Sequence, residues 1–360
     1  MRIDGVDYRT IWRANDGRAV KVIDQTALPH ALRTKALHNL EDARAAIADM
    51  IVRGAPLIGA TGAFGLALAT QADASDAAVA HAAQVLTGAR PTAVNLKWAV
   101  DRGKAAILAC APADRAQAAW AEAEAIAEED VLACAAIGRN GMALIQHAAK
   151  GGERINILTH CNAGWLAAVD WGTALSPVYA AHDAGVPVHV WVDETRPRGQ
   201  GAALTTWELG RHGVPHTVIA DNAGGHLMQQ GQVDLCIVGS DRVAANGDVC
   251  NKIGTYLKAL AARDNGVPFY AALPFSTIDW RLERGGDIPI EERSGREVTH
   301  QTGMDDAGEL RTVRLTPLNS PAANPAFDVT PARLVSAIIT ERGVCEASGV
   351  GLRGLYPEAP

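Results

Sequence analysis

The polar residues between Val233 and Thr255 (VDLCIVGSDRVAANGDVCNKIGT) are crowded closely enough to do chemistry. Val233 to Val238 is a short apolar run that reads as a strand buried on both faces. Ser240, Asp241, Arg242, Asn246, Asp248, Asn251 and Lys252 follow in a Gly- and Ala-rich bend, and a helical pattern resumes at Ile253. Carboxyl groups beside cations at a strand end suit proton transfer on an anionic substrate. Taken alone, the same stretch also reads as a solvated loop.

A second cluster follows another apolar run: Thr159-His160-Cys161-Asn162-Ala163-Gly164. Cys161 falls where a helix is expected to start, and there the dipole and free amides would favour a thiolate. An inert, buried thiol is the other reading. His160 is expected to be structural, because adjacent side chains on an extended segment point apart.

Two bends upstream have the makings of anion seats. In Arg53-Gly54-Ala55-Pro56, Pro56 can begin a helix whose free amides lie beside a guanidinium, and Gly59, Gly62 and Gly65 follow at intervals of three. A helix corner with glycines for tight packing fits those residues equally well. Arg90-Pro91-Thr92, with Asn95 and Lys97 just beyond, again sets an arginine before a helix start.

These groups need elements to position them. The second half of the chain alternates short β-type runs with helical stretches, predicting strands at 155–158, 188–192, 217–220, 235–238 and 269–273. Each run ends in polar residues, as the floor of a pocket would. The first half reads differently. Val6 to Trp12 and Ala19 to Ile23 suit strands, Leu37 to Ile51 an amphipathic helix, and Ala113 to about Lys150 one long helix with a possible bend at Gly138 to Gly141. The expected fold class is α/β, with a smaller, mainly helical N-terminal domain that carries a short β region (1–150) and a Rossmann-like parallel-sheet catalytic domain (151–360). The boundary is placed at Gly151-Gly152.

Composition removes several functions. A net charge of −7 with no basic block argues against a nucleic-acid or anionic-membrane surface. The N-terminus lacks the apolar core of a signal peptide, and the longest apolar stretch, Leu57 to Ala69, is short, so a cytoplasmic protein is expected. The six cysteines show no Cys-x-x-Cys spacing, which speaks against a metal or redox site. No Gly-x-Gly-x-x-Gly follows the first strand of the second half. The nearest approach, Gly199-Gln200-Gly201, has Leu204 at the last position. A Gly-x-Ser-x-Gly elbow is absent too.

Taken in order, Arg53-Gly54-Ala55-Pro56, Arg90 to Leu96, Thr159 to Gly164, Asp193-Glu194-Thr195-Arg196-Pro197, Gln200-Gly201-Ala202 and Gly239 to Asp248 resemble the methylthioribose-1-phosphate isomerases. The likeness continues through Pro289 to Arg293, Asn324 to Asp328 and Ile338 to Gly343. That family's superfamily includes regulatory subunits of translation initiation factor 2B. The resemblance implies an aldose-ketose isomerase of methionine salvage acting on a sugar phosphate. It implies Cys161 and Asp241 as the catalytic pair, and Arg53, Gly54, Ala55, Arg90, Gln200, Asn251 and Lys252 as substrate contacts. It further implies a homodimer with no metal and no organic cofactor. Ser240 departs from the family pattern, where alanine is expected, and Gly224-Gly225-His226 is unusual. A related sugar 1-phosphate, ribose 1,5-bisphosphate or 5-deoxyribose 1-phosphate, and a non-catalytic regulatory subunit are the alternatives.

Overall fold

The computed structural model describes residues 1–149 and 154–359. The expected boundary at Gly151-Gly152 lies outside the described residues. The N-terminal part begins with a hairpin of Arg2–Ile3 and Val6–Asp7 and an antiparallel meander of Ile11–Arg13, Val20–Ile23 and Thr34–Leu37. Helices follow. The Asn39 side chain accepts from the Asp42 amide and so starts α1 (Leu40–Ala48), and Ser75 does the same for α3 (Asp76–Ala89) through Ala78. Between them, α2 (Ala55–Ala72) is apolar on every side, which requires a helix to be surrounded.

It is surrounded by α1, α3, α4 (Val94–Leu108) and α5 (Arg115–Ala148). By length and composition alone α2 could cross a membrane, yet 78% of that stretch is buried inside the protein. Its glycines explain the closeness. A Cβ on Gly62 would lie 2.5 Å from Leu96 Cδ1, and one on Gly65 would lie 2.8 Å from Ala43 Cβ. The packing reading therefore holds for those glycines, while Gly54, at φ 99°, forms the turn that enters the helix.

Helix α5 runs for 34 residues and joins two cores. Ala119 to Val131 pack with Leu57, Phe64 and Leu86 among the helices, whereas Ile137 and Ile145 pack with Ile157, Tyr179 and Val190 against the sheet. Gly138 and Gly141 face α6 (Ser176–Asp183) so tightly that a Cβ on either would come within 2.4 Å of Ser176 Oγ or Pro177 Cγ.

The main sheet has seven strands: β1 (Ile155–Thr159), β2 (Val188–Asp193), β3 (His216–Ile219), β4 (Leu235–Val238), β5 (Phe269–Ala272), β6 (Ala337–Thr340) and β7 (Gly343–Cys345). Their spatial order is β3-β2-β1-β4-β5-β6-β7, all parallel except β7. This is the mainly parallel α/β sheet expected, and β1 to β5 fall on the predicted runs. From β1 the chain winds one way to β2 and β3, then returns to β4 on the other side. A crevice must open between the ends of β1 and β4, where the winding reverses.

One part of the second half was misread. The bend after β4 is a hairpin, Arg242–Ala244 against Val249–Lys252, inside a smaller four-stranded sheet completed by Ile278–Asp279 and Phe327–Thr330. These strands carry Arg, Asp, Asn and Lys rather than an apolar run, so periodicity does not disclose them. The helix expected at Ile253 begins at Thr255.

Because α5 touches α6 through glycine, Gly138→Val is expected to lower the urea midpoint by the equivalent of about 1–3 kcal/mol, the usual cost of overpacking. An unchanged midpoint would show that this contact yields freely.

Candidate active site

The crevice is built where expected. Thr159 at the end of β1 donates its hydroxyl to the Ile237 carbonyl of β4 at 2.8 Å, which ties the two strand ends together. Beyond them, Gly239 lets the loops meet: a Cβ there would lie 2.5 Å from that of Ala163. The resulting cavity is lined by Cys161, Asp241, Arg53, Gly54, Ala55, Arg90, Gln200, Asn251 and Lys252, every residue the resemblance implied for the site.

Cys161 takes a left-handed backbone, φ 66°, unusual for a residue with a Cβ. Three hydrogen bonds hold it there. Its amide donates to Thr195 Oγ1 at 2.7 Å, its carbonyl accepts from Thr205 Oγ1 at 2.7 Å, and its thiol donates to Gln200 Oε1 at 3.4 Å. The helix expected just after Cys161 is not there. The chain forms a 3₁₀ turn at Trp165–Ala167, and no α-helix begins until Ser176, so the thiol does not sit at the start of a helix of its own. The nearby charges are instead the Arg53 guanidinium and the Lys252 ammonium.

His160 borders the same cavity, but both of its ring nitrogens are engaged away from it. Its Nδ1 lies 2.8 Å from Asp193 Oδ2 and its Nε2 lies 2.8 Å from the Ile253 carbonyl. Together with Asp221 these groups could suggest a metal site. Most of their donor atoms are already engaged, Asp193 Oδ1 being the buried exception. Lys258 Nζ sits 3.1 Å from Asp193 Oδ2, and the Asp221 carboxylate accepts from the Thr195 and Arg196 amides. Gly224 has its reason here too, since a Cβ would press within 2.9 Å of Leu158 and 3.2 Å of the Lys258 stem.

Asp241 enters from the end of β4 with its amide donating to the Cys250 carbonyl at 2.9 Å. Ser240, the departure from the family pattern, spends its hydroxyl on the Arg242 and Cys250 carbonyls at 3.1 and 3.0 Å. Arg242 faces away, toward the Thr92 carbonyl and Asp279.

The cations come from both halves of the chain. Arg53 is buried and gives both Nη atoms to Asn162. Arg90 and Arg293 share Glu291: Arg90 Nη2 lies 3.3 Å from Oε2, and Arg293 Nε lies 2.9 Å from Oε1. Lys252 is 5% exposed and stands 4.9 Å from the Phe327 ring centroid. Burial first, then Arg293, pushes its ammonium down to about 8. Asn251 and Lys252 are thus strand residues, not loop residues, and Asn251 is held by Thr255 Oγ1 at 3.0 Å.

Asn162, Arg293, Phe327 and Met50 also line the cavity and were not singled out. A signal existed for three of them, since Asn162 follows Cys161 and the others end or lie within quoted motifs. Met50 carried none. The arrangement offers an anion seat, a thiol and a carboxyl around one space, as an isomerase of a small phosphorylated substrate needs.

The fold and this site define a class, the initiation factor 2 subunit family, whose model matches residues 51–347. Enzymes are among the relatives this chain resembles. The chain is 66% identical to the methylthioribose-1-phosphate isomerase of Methylorubrum extorquens and 64% identical to that of Paramagnetospirillum magneticum, covering 99% of each chain in both pairs. Among solved structures, 5-methylthioribose 1-phosphate isomerase from Pyrococcus horikoshii OT3 superposes with a TM-score of 0.84 at 40% identity, over 98% of this chain and 97% of that one. Translation initiation factor eIF-2B, subunit delta, from A. fulgidus gives 0.80 at 38% identity, over 98% and 100%. The chain belongs to the methylthioribose-1-phosphate isomerase family, and it is an isomerase.

Since burial lowers the Lys252 value, its charge is lost at a lower pH than that of a free lysine. Inorganic phosphate, followed by calorimetry from pH 7.5 to 9.5, should bind progressively more weakly as pH passes about 8. In Lys252→Met this step should vanish. A wild-type affinity flat across that range would remove Lys252 from the anion seat.

Proposed function

We propose that this protein converts 5-methylthioribose 1-phosphate to 5-methylthioribulose 1-phosphate, with Asp241 as general acid and Cys161 as base or pocket thiol. The observation that carries this reading is the shared cavity. Cys161 and Asp241 come from adjacent strand ends and meet the cations Arg53, Arg90, Lys252 and Arg293 around one space.

The substrate's chemistry supplies the logic. A sugar phosphorylated on its anomeric oxygen cannot open as a free aldose does. The bond from C1 to the ring oxygen must break while C1 keeps its phosphate, and the ring oxygen must receive a proton. Asp241 is the donor we assign. An ordinary aspartic acid is ionised at neutral pH, so this role calls for surroundings poor in water. Hydrogen then moves from C2 to C1 and the C2 hydroxyl gives up its proton, which restores the one donated to the ring oxygen and leaves a ketone at C2. In one route the Cys161 thiolate takes the C2 proton and a cis-enediol is reprotonated at C1. In the other a hydride passes directly from C2 to C1, and the thiol shapes the pocket. Both routes balance without an outside oxidant or reductant.

The phosphate would rest against the α2 entrance, where Gly54 and Ala55 offer backbone beside Arg53, with Lys252 opposite. Met50, Ala167, Pro274 and Phe327 furnish apolar wall for a methylthio group. All six cysteines are free, which suits the reducing cytoplasm we assign to the protein. The homodimer implied by the family is part of the same proposal. Leu257, 60% exposed on the helix Thr255–Asp264, would suit a subunit contact.

Purified protein should isomerise 5-methylthioribose 1-phosphate without a partner, and do so faster than ribose 1,5-bisphosphate or 5-deoxyribose 1-phosphate. Inertness toward all of them would favour a regulatory subunit. Cys161→Ser and Asp241→Asn should each lower kcat by roughly 10²–10⁴-fold with the fold intact. With substrate deuterated at C2, loss of label to water selects the enediol, and complete transfer to C1 selects the hydride shift.

A further inference from the structure

From Arg53 a line of two further side chains, Asn162 and Glu208, leads away from the cavity, and the reaction scheme leaves both unused. Arg53 donates from Nη1 to Asn162 Oδ1 at 2.5 Å and from Nη2 to the Asn162 carbonyl at 2.6 Å. At its other end the Asn162 amide donates to Glu208 Oε1 at 2.5 Å and to Thr205 Oγ1 at 3.1 Å. A guanidinium can only donate and a carboxylate can only accept, so a single amide orientation satisfies both neighbours. Glu208 sits on the helix Thr206–His212 and is fully buried. Its second oxygen accepts from the Leu166 amide at 3.3 Å.

Space is kept for this carboxyl. A Cβ on Gly164 would lie 1.8 Å from Glu208 Oε1. Glu208 does not line the cavity, and it meets Arg53 only through Asn162. Burying a carboxyl without direct contact to a cation is costly, and a neutral side chain would fill the same volume more cheaply. Thr205 adds a branch, since the hydroxyl that receives Asn162 also donates to the Cys161 carbonyl.

We propose that Glu208 is a positioning residue of this isomerase: through Asn162 it fixes the Arg53 guanidinium toward the substrate's phosphate and, through Thr205, steadies the left-handed turn at Cys161. The inference rests on the sugar-phosphate reading of the cavity. Burial pushes the Glu208 carboxyl up to about 7, against the opposing pull of the Leu166 amide, Asn162 and Arg53. The other titratable group beside it is Tyr179 on α6, whose hydroxyl burial and Glu208 hold well above the usual phenol range. Only the ionised form accepts with both oxygens, so kcat/KM should rise as pH increases through about 7. Stability should move the other way. A carboxyl whose value is raised by folding favours the protonated fold, and stability falls as pH climbs from about 4.5 to about 7.

Glu208→Gln separates positioning from mere support. We expect KM for 5-methylthioribose 1-phosphate to rise on the order of ten- to a hundredfold, as for loss of a charged hydrogen bond. The rising limb near pH 7 should disappear, while Tm at pH 8 is kept or increased. Unchanged KM with the limb intact would overturn the proposal, as would a lower Tm at pH 8 with KM unchanged. Thr205→Val, which keeps nearly the same shape, should lower kcat more than it raises KM; wild-type kcat there overturns the branch to Cys161. Calorimetry with inorganic phosphate keeps the two readings apart. A wild-type protein that binds phosphate more tightly than Glu208→Gln but leaves the sugar phosphate untouched sustains the positioning role and removes the substrate. Equal phosphate affinity in both proteins removes the positioning role whatever the wild-type turns over.

Discussion

A buried guanidinium cannot be left half satisfied, and Arg53 is the place where this constraint shapes the whole molecule. It belongs to the turn that enters α2, yet both its Nη atoms are given to Asn162, beyond the end of β1. The bond joins the helical part of the chain to the sheet at the floor of the cavity. Gly54 makes that approach possible, since a Cβ there would lie 2.3 Å from the Ala167 carbonyl oxygen. The anion seat is therefore assembled from two halves of the chain, and neither half holds it alone.

Charge in the cavity is arranged so that a ligand completes it. Arg90 and Arg293 share one carboxylate, Glu291, while Lys252 has a ring face and a neighbouring arginine for company. Burial has already weakened the hold of Lys252 on its proton. Such a set of buried cations favours an anion, whose oxygens can pair with several of them at once. The Cys161 backbone is a parallel case, an uncommon conformation held by Thr205 and by Thr195, itself left-handed at φ 62°.

The family holds enzymes and translation-factor subunits on one framework, and this chain superposes well on a member of each kind. A shared sheet order therefore says where a ligand sits and nothing about what happens to it. Groups that line this place stand at the tips of β1 and β4. There a thiol and a carboxyl face the same space, with the smaller four-stranded sheet supplying Asn251 and Lys252 from an inner strand.

Much of this was legible in the order of residues. Apolar runs such as Ile155 to Leu158 and Leu235 to Val238 mark buried parallel strands because both faces must be covered, and the polar groups after them mark strand ends. Motifs around Arg53, Cys161 and Asp241 identified the family and the lining of its cavity. The hairpin that carries Lys252 stayed hidden, because its charged side chains, Lys252 toward the cavity and Arg242 toward Asp279, find their surroundings only after folding. The line from Arg53 to Glu208 stayed hidden for a related reason. Its members are separated by 109 and 46 positions, and nothing local distinguishes a buried glutamate on a helix from a solvated one. Local pattern determined which strands form and which groups stand at their tips, since both depend on neighbours in the chain. Only the tertiary structure decided which tips meet, which arginine reaches across, and which carboxyl is shut away from water, because those outcomes depend on which strands the winding sets side by side.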